Sequence, residues 1–274
     1  MNEDFLEPWY APKTGGSGRT YYNRSISAVR IYKPKPTPKY KPTPKEEVAS
    51  SPIIVYRDAD DVMMELTVKI RKDLNHSTPF EWPDDFYHSL CTSWYEEQKK
   101  RSIKDIAFLC GEEAKKAMKK PYDFCIVCWY LCDDAACFIP TQEYKDGKTI
   151  PVLKQEKLSQ RYYNKPFFLD NATAFKDALK AIAAFSPFDG WTKIFQKGLS
   201  IMQSDNVEYS GQEDVFDIPK PYFKYLLAAK STQLGAGMGS WFDLPISGSK
   251  EFKSVSDNLI VEQGKALMYA INNC

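Results

Sequence analysis

Residues 121–156 read PYDFCIVCWYLCDDAACFIPTQEYKDGKTIPVLKQE, and how this stretch folds decides the class of the whole chain. Its first part, 121–131, is dense in aromatic and β-branched side chains with no helical spacing of polar residues, which predicts a buried strand. CFIPTQEY at 137–144 and KTIPVLKQE at 148–156 flank Lys145, Asp146 and Gly147. Asp-Gly accepts the positive φ of a tight turn, so the pair predicts a β-hairpin. Three strands joined by short connections imply an antiparallel sheet or a small barrel.

Helices are predicted on either side of this sheet. Val62, Met63, Leu66, Ile70 and Leu74 recur at helical spacing after the short strand of SPIIVYRDADD. Asp84 and Asp85 can cap a helix carrying Phe86, Leu90, Trp94 and Tyr95, and a further helix is predicted from Ser102 to Lys119 with Gly111 as a point of interruption. Residues 171–203 give two helices broken at Ser186-Pro187, and 254–273 gives a closing helix. YFKYLLAAKSTQL and SWFDLPIS, joined by GAGMG at 235–239, read as a second β-unit. The expected fold is α+β, a mostly antiparallel sheet or small barrel covered by helices, in one domain spanning 48–274.

Residues 1–47 have a different composition. Between Ala11 and Lys45 stand nine basic residues and no acidic one, although Lys and Arg number 37 against 36 Asp and Glu in the whole chain. The rest of the chain is therefore acidic. KPTPKY at 35–40 is followed at once by KPTPKE, and the alternating prolines from Pro34 to Pro44 remove backbone donors and hold φ near the polyproline value. An extended, basic N-terminal arm is expected, with GGSGR at 15–19 as a flexible joint and Tyr10, Tyr21, Tyr22, Tyr32 and Tyr40 set among the cations.

Cations interleaved with stackable rings suit the phosphates and bases of a single strand of DNA or RNA. The candidate phosphate contacts are Arg19, Arg24, Arg30, Lys33, Lys35, Lys39 and Lys41, and the candidate stacking residues are Tyr21, Tyr22 and Tyr32. The alternative is a structural subunit, of a virion or another large assembly, whose arm crosses a neighbouring copy. No run approaches the roughly 18 apolar residues of a membrane span, and MNEDFLEPWY is acidic where a signal peptide is basic. The expectation is a cytoplasmic protein, with virion association under the assembly reading.

Enzyme chemistry is harder to assemble. IIVYRDADDV loosely resembles the D-x-D-x-[TV] start of haloacid dehalogenase-type phosphatases, which would imply a Mg2+-dependent site at Asp58 and Asp60. Arg57 at the strand end, and the lack of a downstream G-D-x-x-x-D element, favour a helix N-terminus that is simply acidic. DGKT at 146–149 lacks the earlier glycine of a phosphate loop, and Gly235, Gly237 and Gly239 precede no predicted helix. Cys125 and Cys128 have metal-ligand spacing with Cys132, Cys137, Cys91 and His88 nearby, yet Ile126, Val127, Trp129 and Tyr130 fill the gaps and strand alternation separates the pair. Core cysteines are expected, with no metal, no cofactor and no catalytic set.

Overall fold

The computed structural model describes residues 27–32, 53–76, 88–145, 148–205, 207, 218–235 and 240–274, with backbone alone at 27–32, 53–58, 76, 88–90, 145 and 148–151. The fold is α+β. A two-stranded antiparallel ribbon comes first, β1 (Ser27–Tyr32) with β2 (Ile53–Asp58), followed by α1 (Ala59–His76) and α2 (His88–Lys100). The sheet is an open antiparallel meander of β3 (Ile103–Cys110), β4 (Phe124–Tyr130), β5 (Ala135–Lys145) and β6 (Lys148–Glu156), with α3 (Gly111–Met118) between its first two strands. The helices α4 (Ala172–Phe185), α5 (Asp189–Gln203), α6 (Lys220–Ser231) and α7 (Lys250–Asn273) complete the order.

The sheet buries both faces. Phe108, Ile126 and Phe138 share one face by register, where Phe138 meets Trp94 of α2 edge to face at 5.1 Å. Leu109, Cys125, Val127, Trp129 and Cys137 share the other, beneath α3 and the segment after β6, and the Trp129 indole N–H donates to the Tyr162 carbonyl at 3.0 Å. Two-sided burial explains why 106–110 and 124–130 read as near-continuous apolar runs instead of an alternating pattern.

The free edge of β3 is closed by side chains. Asn272 on α7 donates from its amide nitrogen to the Phe108 carbonyl at 2.7 Å, and its amide oxygen accepts from the Phe108 N–H at 2.8 Å. Arg71 of α1 donates to the Ile106 carbonyl at 3.3 Å. Unpaired strand edges that are buried must find partners, and here two helices supply them.

Two expectations are corrected. Residues 102–119 form a strand and then a helix, because Ile103, Ile106, Ala107 and Cys110 fall at helical spacing only through burial on both faces of β3. Gly111 at φ +57°, a conformation that favours glycine, turns the chain into α3, and its N–H donates to the Asp123 carbonyl at 2.7 Å. Residues 222–247 hold no strand among the described residues. They give α6 and a 3-10 turn at Trp241–Asp243. A short apolar run fits a buried helix as well as a strand, and Pro219 and Pro221 at the helix start are suited to the helical reading. The sheet is open, so the barrel alternative is also excluded.

The helices α4 to α7 pack as a group, with α7 shared between them and the sheet. Trp241 is fully buried at its centre, stacked on Phe252 at 5.0 Å and donating from its indole N–H to Ser256 Oγ at 2.7 Å. Gly198 of α5 permits close approach to α6, since a Cβ there would lie 2.3 Å from Thr232 Cγ2. Thr232 cannot turn aside freely, because its hydroxyl donates to the Ala228 carbonyl at 2.7 Å and accepts from Gln263 at 2.9 Å.

Two stability outcomes follow from these contacts. Asn272→Ala leaves a buried N–H and carbonyl of Phe108 without partners and should cost about 2–4 kcal/mol in urea unfolding. Gly198→Ala should cost about 1–3 kcal/mol by overpacking, and an unchanged midpoint would show that the α5–α6 contact is looser than drawn.

Candidate nucleic-acid interface

Of the ten candidate contact residues, Arg30 and Tyr32 lie on β1, opposite Val55 and Ile53 of β2 in backbone register. Arg19, Arg24, Lys33, Lys35, Lys39, Lys41, Tyr21 and Tyr22 lie outside the described residues.

A basic face on the body was not singled out by sequence. The C-terminal end of α3 presents Lys116, Lys119 and Lys120, and the end of β6 with the 3-10 turn at Gln160–Tyr163 presents Lys154, Lys157 and Arg161. Backbone contact joins the two segments: the Ser159 N–H donates to the Ala117 carbonyl at 2.6 Å. Side chains join them again. Lys120 donates to Glu156, which Lys154 also approaches at 3.6 Å, while Glu113 takes Lys116 at 3.0 Å, Arg161 at 3.7 Å and the Tyr162 hydroxyl at 2.5 Å.

Each of these carboxylates is shared by two cations, so positive charge is left over. Hydrogen bonding to Lys120 holds the Glu156 carboxyl below its ordinary range. At Glu113 burial acts upward, and the Tyr162 hydroxyl and Lys116 together outweigh it, so this carboxyl also sits low. Both stay ionised at neutral pH. Lys119 and Lys157 are exposed and meet no carboxylate among the described residues. Tyr122, 39% exposed and with Lys120 Nζ 5.9 Å from its ring, and Tyr163, 44% exposed, stand on the same two segments.

KKAMKKPYD at 115–123 and KQEKLSQRYY at 154–163 carry this face in sequence. The visible signal is cations followed by tyrosine in each segment. Neither reads as a surface until the fold brings them together.

The acidic stretch after β2 is tied elsewhere. Lys230 of α6 lies 2.5 Å from Asp61 and 3.9 Å from Asp60. Asp60 also borders a pocket of about 90 Å³ with Cys110, Asp123, Phe124, Phe242 and Gln263. There the Cys110 thiol donates to the Gly264 carbonyl at 3.3 Å. Burial, aided by Asp60 and Asp123, pushes its pKa up to about 12, and burial raises the Asp123 carboxyl as well. A thiol held protonated is a poor nucleophile.

Cys125 and Cys128 are both buried, with Cys125 against the Cys137 thiol and Cys128 on the opposite face of the strand. Among the described residues no three His, Cys, Asp or Glu side chains converge as a ligand set, and no helix is long and apolar enough to cross a membrane. Compared with known protein families, curated proteins and solved structures, the chain matches none.

The cysteine environments predict a simple labelling pattern. Iodoacetamide near pH 8 should modify exposed Cys132 and leave Cys110, Cys125, Cys128 and Cys137 unmodified until the protein is unfolded. Cys110 gains thiolate only as pH rises towards its raised pKa, so rapid native labelling of it, read by mass spectrometry, would contradict its burial.

Proposed function

We propose that the protein binds single-stranded DNA or RNA without catalysing a reaction on it, and that its N-terminal arm supplies sequence-tolerant affinity. The observation that carries this reading is the run from Ala11 to Lys45, with nine cations, no anion, and tyrosines at 21, 22, 32 and 40. Counterion release from the strand then drives binding, and tyrosine stacking adds to it whatever the base. The acidic balance of the remaining chain keeps the arm as the main attractive element.

One feature favours a second reading, a subunit of a larger assembly. Phe167 and Leu169, 93% and 78% exposed on the segment leading to α4, are large apolar side chains open to solvent. A neighbouring copy could cover them.

Binding of a fluorescent oligothymidine to the full chain at several salt concentrations separates the two. A log–log salt slope of roughly −0.7 per phosphate neutralised is expected. Arg19→Ala/Arg24→Ala/Arg30→Ala should weaken binding to all sequences alike and flatten the slope. Tyr21→Ala/Tyr22→Ala/Tyr32→Ala should weaken binding with the slope nearly unchanged, because stacking releases no counterions. A discrete oligomer in light scattering, with no salt-dependent binding near micromolar concentrations, would replace this reading by assembly.

A further inference from the structure

We infer that the folded body carries a second contact surface for the same single strand, separate from the arm: the face built by the end of α3 and the β6-to-3-10 segment. The inference rests on the nucleic-acid reading and adds to it where on the body the strand runs. Lys119 and Lys157 are its key phosphate contacts, with Tyr122 and Tyr163 as flanking rings.

Charge is the first argument. Within 112–123 and 154–161 there are seven cations, Lys115, Lys116, Lys119, Lys120, Lys154, Lys157 and Arg161, against four anions, Glu112, Glu113, Asp123 and Glu156. The surplus of three exceeds the net charge of +1 for the entire chain. Its distribution matters more than its size. Arg161 on Glu113 and Lys120 on Glu156 tie α3 to the β6-to-3-10 segment, and Lys116 and Lys154 share the same two carboxylates within their own elements, which limits the side-chain ordering left for binding. Lys119 and Lys157, bound to no carboxylate among the described residues, are available to a phosphate.

Local backbone reinforces the placement. Lys119 ends α3 in the left-handed region at φ 55°, beyond the last helical turn. The contact from the Ser159 N–H to the Ala117 carbonyl then brings the segment of Lys157 against that end.

The rings define the partner. In these two segments the exposed large side chains with apolar surface are Tyr122 and Tyr163. Lipid insertion needs a broader apolar flank, whereas single tyrosines beside cations suit unpaired bases. Bases in a duplex are already stacked, so a single strand is the better ligand. An arm and a body surface on one chain also act together, because the first contact raises the effective concentration of the second.

The test uses the full chain and a fluorescein-labelled oligothymidine of about 20 nucleotides, long enough to reach beyond one small binding module. Lys119→Glu/Lys157→Glu is compared with the triple arginine variant of the arm and with Lys193→Glu/Lys197→Glu, the same charge change at exposed positions of α5. The face variant should weaken binding at least about tenfold at 0.1 M salt and reduce the slope by about 1.4, the value for two phosphates. The α5 variant should change affinity less than about threefold, as a remote charge effect screened at that salt. Lysine acetylation read by mass spectrometry gives a second measure, with Lys119 and Lys157 protected by the oligonucleotide and Lys193 and Lys197 not. Thermal unfolding checks that the variants fold.

If the arm variant abolishes binding while the face variant matches the parent and its lysines stay unprotected, this inference fails and the proposed function stands. Equal losses in the face and α5 variants would reduce the effect to net charge and also overturn it. Absence of salt-dependent binding by the parent chain would overturn both. Tighter binding to a duplex of equal length, or to anionic vesicles, would reject a single strand as the ligand of this face.

Discussion

The reciprocal hydrogen bonds between Asn272 and Phe108 join the end of α7 to the buried free edge of β3. An edge strand buried beneath helices has N–H and carbonyl groups that neither water nor another strand can satisfy. The side-chain amide offers both a donor and an acceptor and meets both, as a neighbouring strand would. Sheet and helical group are thereby held in one register. Arg71 does similar work at Ile106, while also reaching Asp105 at 3.2 Å.

From that junction the helical group takes its arrangement. α7 is 24 residues long, and it packs on the sheet through β3 and on the helical group through α4 and α6. Polar residues on it are buried with partners: Gln263 donates to Thr232, and Ser256 links Trp241 to the Phe252 carbonyl. Such contacts specify orientation, because a rotated helix would leave each of them unsatisfied. The aromatic cluster of Phe185, Trp191, Phe195, Trp241 and Phe252 adds the apolar burial that holds the group closed.

The charge distribution has a matching logic. Several cations on the body pair with a carboxylate nearby, as at Lys69 and Glu65 or Lys180 and Asp177. Around α3 and the end of β6, two carboxylates are shared among four cations. Two carboxylates offset only two of those four charges, so positive charge remains. Under the proposed function, a strand captured by the arm would find a fixed basic surface on the body.

The sequence by itself determined the antiparallel hairpin of β5 and β6, the strand at 124–130, the helices α1, α4, α5 and α7, and the uneven placement of charge. Each has a local cause: a period, a turn dipeptide, a proline break or a composition. Tertiary structure alone decided that 103–110 is a strand and 220–231 a helix, because β3 is buried on both faces over 106–110 and the short apolar run of α6 fits a strand as well as a buried helix. It also decided the basic face. Lys119 and Lys157 are 38 positions apart in the chain, and only the packing of the post-β6 segment against α3 makes them part of one surface.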